Sequence, residues 1–331
     1  LSQTMRGASS PQGNRGGTNP MQVGLGMTIA SIDTIHSPSS AESTGNMTDM
    51  AIEGEGYFIL QGDGLDQYYT RAGNFGFDES GNLINTANGL KVLGWQDKEN
   101  HTVPSDKSPQ SIDTIQIRKG MMIPAEATTE VKFSKNLNAD ATDSYSLPFK
   151  IYDSQGHAHN LSITFEKTGD NNWQYTISID ENNGNITAGA SGTIEFDDIG
   201  KLTTHNGDNV TYEPNNGAAN ISFGIDFSGV TQYDKETNID MTYQNGYAAG
   251  TLTGVTTDTS GVITGIFDNG LSRQLAQVAL ANFDNPAGLI KAGQNMYRYS
   301  NNSGEPQIGQ SGTGGRGTIA PGYLEMSNVD L

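Results

Sequence analysis

At 331 residues the chain has room for about two domains of roughly 150 residues, and its 34% apolar content with 42 glycines and 11 prolines suits short elements joined by tight turns. The 37 acidic against 18 basic side chains leave a net charge of −19, which disfavours nucleic acid and membrane surfaces as partners. With no cysteine, disulfides, thiolate metal sites and cysteine nucleophiles are excluded. No run approaches the ~18 consecutive apolar residues of a membrane span, and the first residues show no signal-peptide pattern. The chain opens at Leu1 and stops at Leu331 in mid-phrase, so it is read as a fragment of a longer protein.

Residues 1–20 carry Gly7, Gly13, Gly16 and Gly17 with Pro11 and Pro20, and few large apolar groups. They read as an extended linker without regular structure. Arg6 and Arg15 are its only charges, a locally basic tract beside an acidic body and candidates for contact with a neighbouring subunit. From about Val23 to Lys132 come short β-like runs, such as Tyr57–Leu60, Gln67–Thr70 and Leu90–Leu93. They are separated by the turn pairs Asp63-Gly64, Ser80-Gly81 and Asn88-Gly89. Further Asn-Gly pairs begin at Asn183, Asn206, Asn216, Asn245 and Asn269.

In the middle, Leu161, Ile163 and Phe165 alternate with Ser162 and Thr164, and Tyr175, Ile177 and Ile179 repeat the pattern after a polar turn at 169–172. Period two with one apolar face predicts a half-buried antiparallel sheet. Composition shifts near Asn136 and Asn238 set the expected organisation. A linker at 1–20 leads to a discontinuous β core domain of residues 21–136 plus 238–331, with a second β domain, 137–237, inserted. The expected class is all-β with negligible helix; Pro286–Lys291 is the one short helix expected. An echo between Asp78-Glu-Ser-Gly and Asp258-Thr-Ser-Gly reads as shared turn chemistry.

No motif carries chemistry. Gly312–Gly317 satisfies G-x-G-x-x-G, but Pro321-Gly322 cannot carry the helix a dinucleotide site needs, so a flexible loop is expected. His157 and His159 share a strand face, yet Asp153 lies across the Gly156 turn and no third ligand is evident. The acid-rich turns Asp63–Asp66, Asp180–Gly184 and Asp197-Asp198 lack EF-hand spacing and read as solvated hairpin turns. No catalytic constellation, cofactor or metal site is expected, and the chain is read as not an enzyme.

The strongest signal lies in longer phrases. Gln244–Gly250, Gln277–Pro286 and Gly322–Leu331, the last of the form G-x-L-E-x-S-N-V-D-L, closely resemble the flagellar hook protein family. Gly24–Gly26, Thr44–Asn46, Ala51–Phe58 and Tyr69–Phe75 resemble the signature shared by hook and rod subunits, and Ile151–Gly156 resembles a phrase of the hook family's inserted domain. The resemblance implies an all-β structural subunit of the hook, a flexible universal joint transmitting motor torque from rod to filament in motility. It implies terminal helices that are missing from this chain. It also implies a helical homopolymer outside the cell, exported without a cleaved signal peptide, with the distal rod, hook cap, hook–filament junction proteins and export apparatus as partners. A distal rod protein is the nearest rival; the length of 137–237 favours the hook. A carbohydrate-binding or adhesive β module would need an exposed aromatic platform, whereas Trp95 and Trp173 fall in different domains.

Overall fold

The structure, a computed structural model, describes residues 2–24, 40–62, 64, 66–179, 184–207 and 209–326. Among them strands and turns predominate, and helix is confined to two single 3-10 turns, Pro109–Ser111 and Pro286–Gly288. The expected helix over Pro286–Lys291 thus shrinks to one turn. Leu289 adopts an extended backbone, which sends its side chain into the core beside Tyr57, Tyr69 and Phe283 and starts the strand Ile290–Gly293.

The middle of the chain forms two five-stranded sheets. One holds, in spatial order, Tyr145–Tyr152, Ala158–Gly169, Asn172–Ile179, Ser191–Phe196 and Leu202–His205. The alternating residues pair as their pattern demands: Leu161 opposes Ile179, Ile163 opposes Ile177 and Phe165 opposes Tyr175. The second sheet runs Gly184–Ala188, Asn209–Pro214, Ile221–Tyr233, Glu130–Asn138 and Asp240–Gln244. Its strand Glu130–Asn138 pairs parallel with Ile221–Tyr233, which no local pattern announces because the partners are separated by a long crossover. The inner faces meet in one core in which Phe227 stacks on Phe133 at 5.6 Å between centroids and tilts against Tyr175 at 5.0 Å.

Val131, Phe133 and Ile239 belong to this middle core, so its strands reach beyond residues 137–237 at both flanks. Asn136 and Asn238 do lie side by side, Asn136 N donating to Asn238 Oδ1 at 2.9 Å. They sit at the far end of the strand pair, however. The chain crosses where Glu126 and Tyr247 exchange backbone hydrogen bonds of 3.0 and 2.9 Å.

Strands within 57–123 and 250–309 build a separate 14-stranded sheet with two cores of its own, to which Met50, Ile52 and Ile319 also contribute. Tyr57–Gln61 is buried on both faces: Phe58 and Leu60 enter one core, Tyr57 and Ile59 the other. Trp95 is sealed inside, its Nε1 donating to Ser108 O at 3.0 Å, and Trp173 is equally buried, donating to Gln232 Oε1 at 2.7 Å. Neither indole can serve an exposed aromatic platform.

Residues 2–24 depart from the expected unstructured linker. Ser2–Arg6 pairs antiparallel with Met21–Gly24, Ser9 and Thr18 exchange hydrogen bonds of 3.0 Å, and Gln12 and Arg15 close the tip. Gly13, at φ +59°, supplies the left-handed first position that a type II′ hairpin turn requires. Low apolar content leaves the hairpin without a core, and every residue from Met5 to Gln22 is exposed.

Because the middle core draws on no residue outside 131–241, residues 124–247 expressed alone should give a dispersed amide spectrum and a cooperative urea transition. A collapsed, undispersed spectrum would refute that independence.

Candidate functional site

The first and last described strands of the body close on one another at a single side chain. Arg71 leaves the strand Gln67–Thr70 and its guanidinium donates to four acceptors: Ile52 O at 3.1 Å, Gly54 O at 3.0 Å, Gly56 O at 3.1 Å and Glu325 Oε2 at 2.8 Å. The ion pair is largely shielded, with 14% and 13% of the two side chains exposed. Gly54 turns its carbonyl inward at φ +108°, and it approaches Gly317 so closely that a Cβ would sit 3.1 Å from the Gly317 Cα.

Around this node two strand pairs join the chain's two ends. Met50–Glu53 pairs with Thr318–Pro321, and Ala41–Ser43 pairs with Tyr323–Glu325. Thr44 N donates to Gly322 O and Gly322 N to Asp49 O, both at 2.8 Å, while Thr44 Oγ1 donates to Asp49 Oδ2 at 2.7 Å. The sequence phrases Thr44–Asn46, Ala51–Phe58, Tyr69–Phe75 and Gly322–Glu325 therefore converge on one place, 254 residues apart at its central pair.

A second polar cluster lies buried in the middle unit. Asp153 Oδ1 accepts from the backbone N–H groups of Gln155 and His157, and its Oδ2 takes Asn216 Nδ2 at 2.6 Å and His159 Nε2 at 2.9 Å. The Gly156 turn thus folds Asp153 back onto His159 instead of separating them. Tyr212 Oη lies 2.9 Å from His159 Nδ1. An ionised carboxylate only accepts, so His159 donates from Nε2, and with the ring neutral its Nδ1 accepts a hydrogen bond from the Tyr212 hydroxyl. Both ring nitrogens are engaged; among the described residues no group of three His, Asp or Glu side chains gathers to hold a metal. Burial pushes the Asp153 carboxyl up, but the hydrogen bonds from Asn216, His159, His157 and Gln155 outweigh it and hold the group at about 2.

The Gly312–Gly317 segment is a run of left-handed turns at Gly312, Gly314 and Gly315, stapled by Arg316 to Gln307 O, Gln310 O and Thr313 Oγ1. It is a held turn rather than a loose loop. A strand, Thr318–Pro321, follows it where a nucleotide site needs a helix.

Three comparisons bear on this geometry. The flagellar hook protein FlgE/F/G D1 domain matches residues 51–136, and the flagellar basal body protein FlaE D2 domain matches 122–247. The flagellar hook protein FlgE of Treponema pallidum is 37% identical over all of this chain and 83% of its own length; that of Escherichia coli is 34% identical over 94% of this chain and 80% of its own. The chain belongs to the flagellar hook protein family. It is a structural subunit of the flagellar hook, part of the basal body. The crystal structure of Helicobacter pylori flagellar hook protein FlgE2 shares the fold, with a TM-score of 0.65 at 15% identity over 88% of this chain and 100% of that one.

In this hook-family chain Arg6 and Arg15 both lie on the exposed hairpin, Arg15 at its tip. Of the acid-rich turns, Asp63 and Asp180–Asn183 lie outside the described residues. Asp197 uses its carboxylate to cap its own turn, accepting from Ile199 and Lys201 N–H. The same Asp-x-x-Gly turn recurs at Asp78, Asp153 and Asp258, each Oδ1 accepting the N–H four residues on. Asn245-Gly246 departs from the hairpin reading: Asn245 Oδ1 accepts from Thr129 and Glu130 N–H at the crossing into the middle sheet. Sequence reasoning missed Arg71 and Tyr212 as partners. Arg71 stood inside a quoted signature, but nothing in its spacing pointed to Glu325.

Replacing Arg71 by Lys leaves three donors at one point for four spread acceptors, so it should lower unfolding stability by about 2–4 kcal/mol in urea melts. Glu325→Gln should cost less, since the three carbonyl bonds survive. Equal losses would show that the ion pair alone matters. The Asp153 shift makes a second prediction. Its folded value lies below its unfolded one, so the contribution of about 2 kcal/mol is full above pH 5 and disappears as pH falls from about 4 to about 2. Asp153→Ala should flatten that part of the stability–pH curve; an unchanged acid slope would remove Asp153 from it.

Proposed function

We propose that the chain is the repeating unit of a flexible tube, a universal joint that passes motor torque from rod to filament through contacts between identical copies. The observation that carries this reading is the closure of the body at Arg71–Glu325. A unit whose two ends are locked by four charge-assisted bonds moves as a rigid piece, so compliance falls to the contacts between units. Contacts that slide must be polar and wet, and a chain with 34% apolar residues and net charge −19 offers such surfaces.

Several finer features belong to this reading. The chain divides into a body from residues 50–123 and 247–326 and a middle unit between Glu126 and Tyr247. Its work is mechanical and not catalytic, and it is exported without a cleaved signal peptide. Distal rod, hook cap, hook–filament junction proteins and the export apparatus are its partners. The hairpin of residues 2–24 is an arm reaching a neighbouring copy, where Arg6 and Arg15 meet carboxylates of an acidic surface. Each exposed pair contributes about 0–1 kcal/mol, weak enough to break and re-form as the joint turns.

In cells lacking their own hook subunit, the full-length protein should restore hooks visible by electron microscopy and restore swimming. Motors that remain without hooks would refute the subunit role. Arg6→Glu with Arg15→Glu should leave the melting curve unchanged while altering hook curvature or stiffness. Hooks of unchanged shape would remove the two arginines from the contact.

A further inference from the structure

We propose that the face around the turn Arg118–Met121 receives the acidic tip Asp198–Ile199 of a second copy of this chain, an inference that rests on the hook-subunit reading. Arg118 and Lys119 are the only adjacent cations in the sequence. Both are exposed, and neither side chain has a hydrogen-bond or ion-pair partner among the described residues, whereas Lys98, Lys132, Lys135, Arg71 and Arg298 are each paired with a carboxylate. In a chain of net charge −19, such a pair left open faces outward for an acid it does not have.

Two hollows flank the turn. One, of about 400 Å³, is lined by Lys98, His101, Gln116, Arg118 and Met121. The Nδ1 of His101 is buried there without a partner among the described residues, a polar atom whose desolvation none of them offsets. The other, of about 270 Å³, is walled by Phe77, Ile117, Leu252 and Val255 with Lys119 and Asp78 at its rim. The nearby acids are spoken for: Asp113 takes Lys98 at 2.6 Å and Asp78 takes Asn82 at 2.7 Å. A cationic seat beside an apolar seat fits an apolar side chain flanked by carboxylates.

The chain carries such a knob. Ile199 is 68% exposed, as exposed as any large apolar side chain described, and follows exposed Asp198. Gly200 packs onto the end of the strand Ile221–Tyr233 so tightly that a Cβ would come within 3.1 Å of the Tyr233 ring. This brings Tyr233, 49% exposed, to the turn that carries Ile199, and along 197–201 and 233–236 the carboxylates of Asp197, Asp198, Asp234 and Glu236 outnumber Lys201 and Lys235. Met5, equally exposed, adjoins Arg6 and would bring a cation to a cationic seat.

The seat cannot take its own copy's tip. Tyr233 pairs with Asn138 at the end of the strand that leaves the crossing at Glu130, eight steps of about 3.3 Å away, or roughly 26 Å. The contact is therefore between copies and heterologous, knob of one into seat of the next. Repeated without closure, such a contact grows a helical array.

Because the chain has no cysteine, Lys119→Cys with Asp198→Cys in the full-length protein gives a clean test in hooks isolated from cells. Oxidation should produce a ladder of trimers and longer chains on a denaturing gel, with each single variant staying monomeric. Hooks of normal length that yield only monomers or only dimers would overturn the proposal and leave the subunit reading intact. If the double variant forms no hooks, charge exchange decides. Arg118→Glu with Lys119→Glu should cut hook number at least tenfold, and adding Asp198→Lys with Asp234→Lys should restore it; no loss, or no restoration, overturns the contact. If the unaltered full-length protein forms no hooks in the same cells, both readings fall.

Discussion

Four hydrogen bonds from one guanidinium decide where the two ends of this chain's body meet. Three of Arg71's acceptors are backbone carbonyls of the segment Ile52–Gly56, and the fourth is a carboxylate from the opposite end of the sequence. Only arginine presents a planar fork with enough donors to reach all four. The arrangement also requires glycine, because the carbonyls of Gly54 and Gly56 point inward from left-handed backbone, at φ +108° and +128°. The short strands Ala41–Ser43 and Tyr323–Glu325 are three residues each and would be weak alone. Their pairing depends on the node that holds their neighbours in place.

The middle unit reaches rigidity by another route. Its sheets bury a ring cluster around Phe227, and its turns are fixed by aspartates that satisfy their own backbone. At Asp153 this local device is joined to a tertiary one. The same carboxylate that caps its turn also orients His159, which in turn holds Tyr212 on the opposing sheet. A buried network with every member satisfied ties the two layers in one register, where apolar packing alone would allow them to slide.

Two rigid pieces with charged, hydrated exteriors suit an assembly that must deform without unfolding. Compliance located in the contacts leaves the cores undisturbed through each cycle of bending. The acidic surface keeps free copies apart, and in the reading proposed above the arginines of the hairpin and the Arg118-Lys119 turn are the local exceptions at which copies attract one another.

The sequence was legible wherever structure is local. Alternation at 161–165 and 175–179 placed inward and outward residues and even the facing pairs, because a strand's period is a property of consecutive residues. The all-β class, the turns at Gly81, Gly89 and Gly207, and the family phrases were all readable in the same way. The hairpin of residues 2–24 was lost because composition reported the missing core but not the pairing that a single turn at Gly13 permits. The flanks of the middle sheet were set too far inward, since Val131 and Phe133 show their allegiance only when Ile221–Tyr233 arrives beside them in parallel. Charge, turn chemistry and strand period were determined by the sequence itself. The Arg71–Glu325 closure, the Asp153–His159–Tyr212 network and the two hollows beside Arg118 were decided by tertiary structure alone, because each joins residues whose separation along the chain leaves no periodic trace.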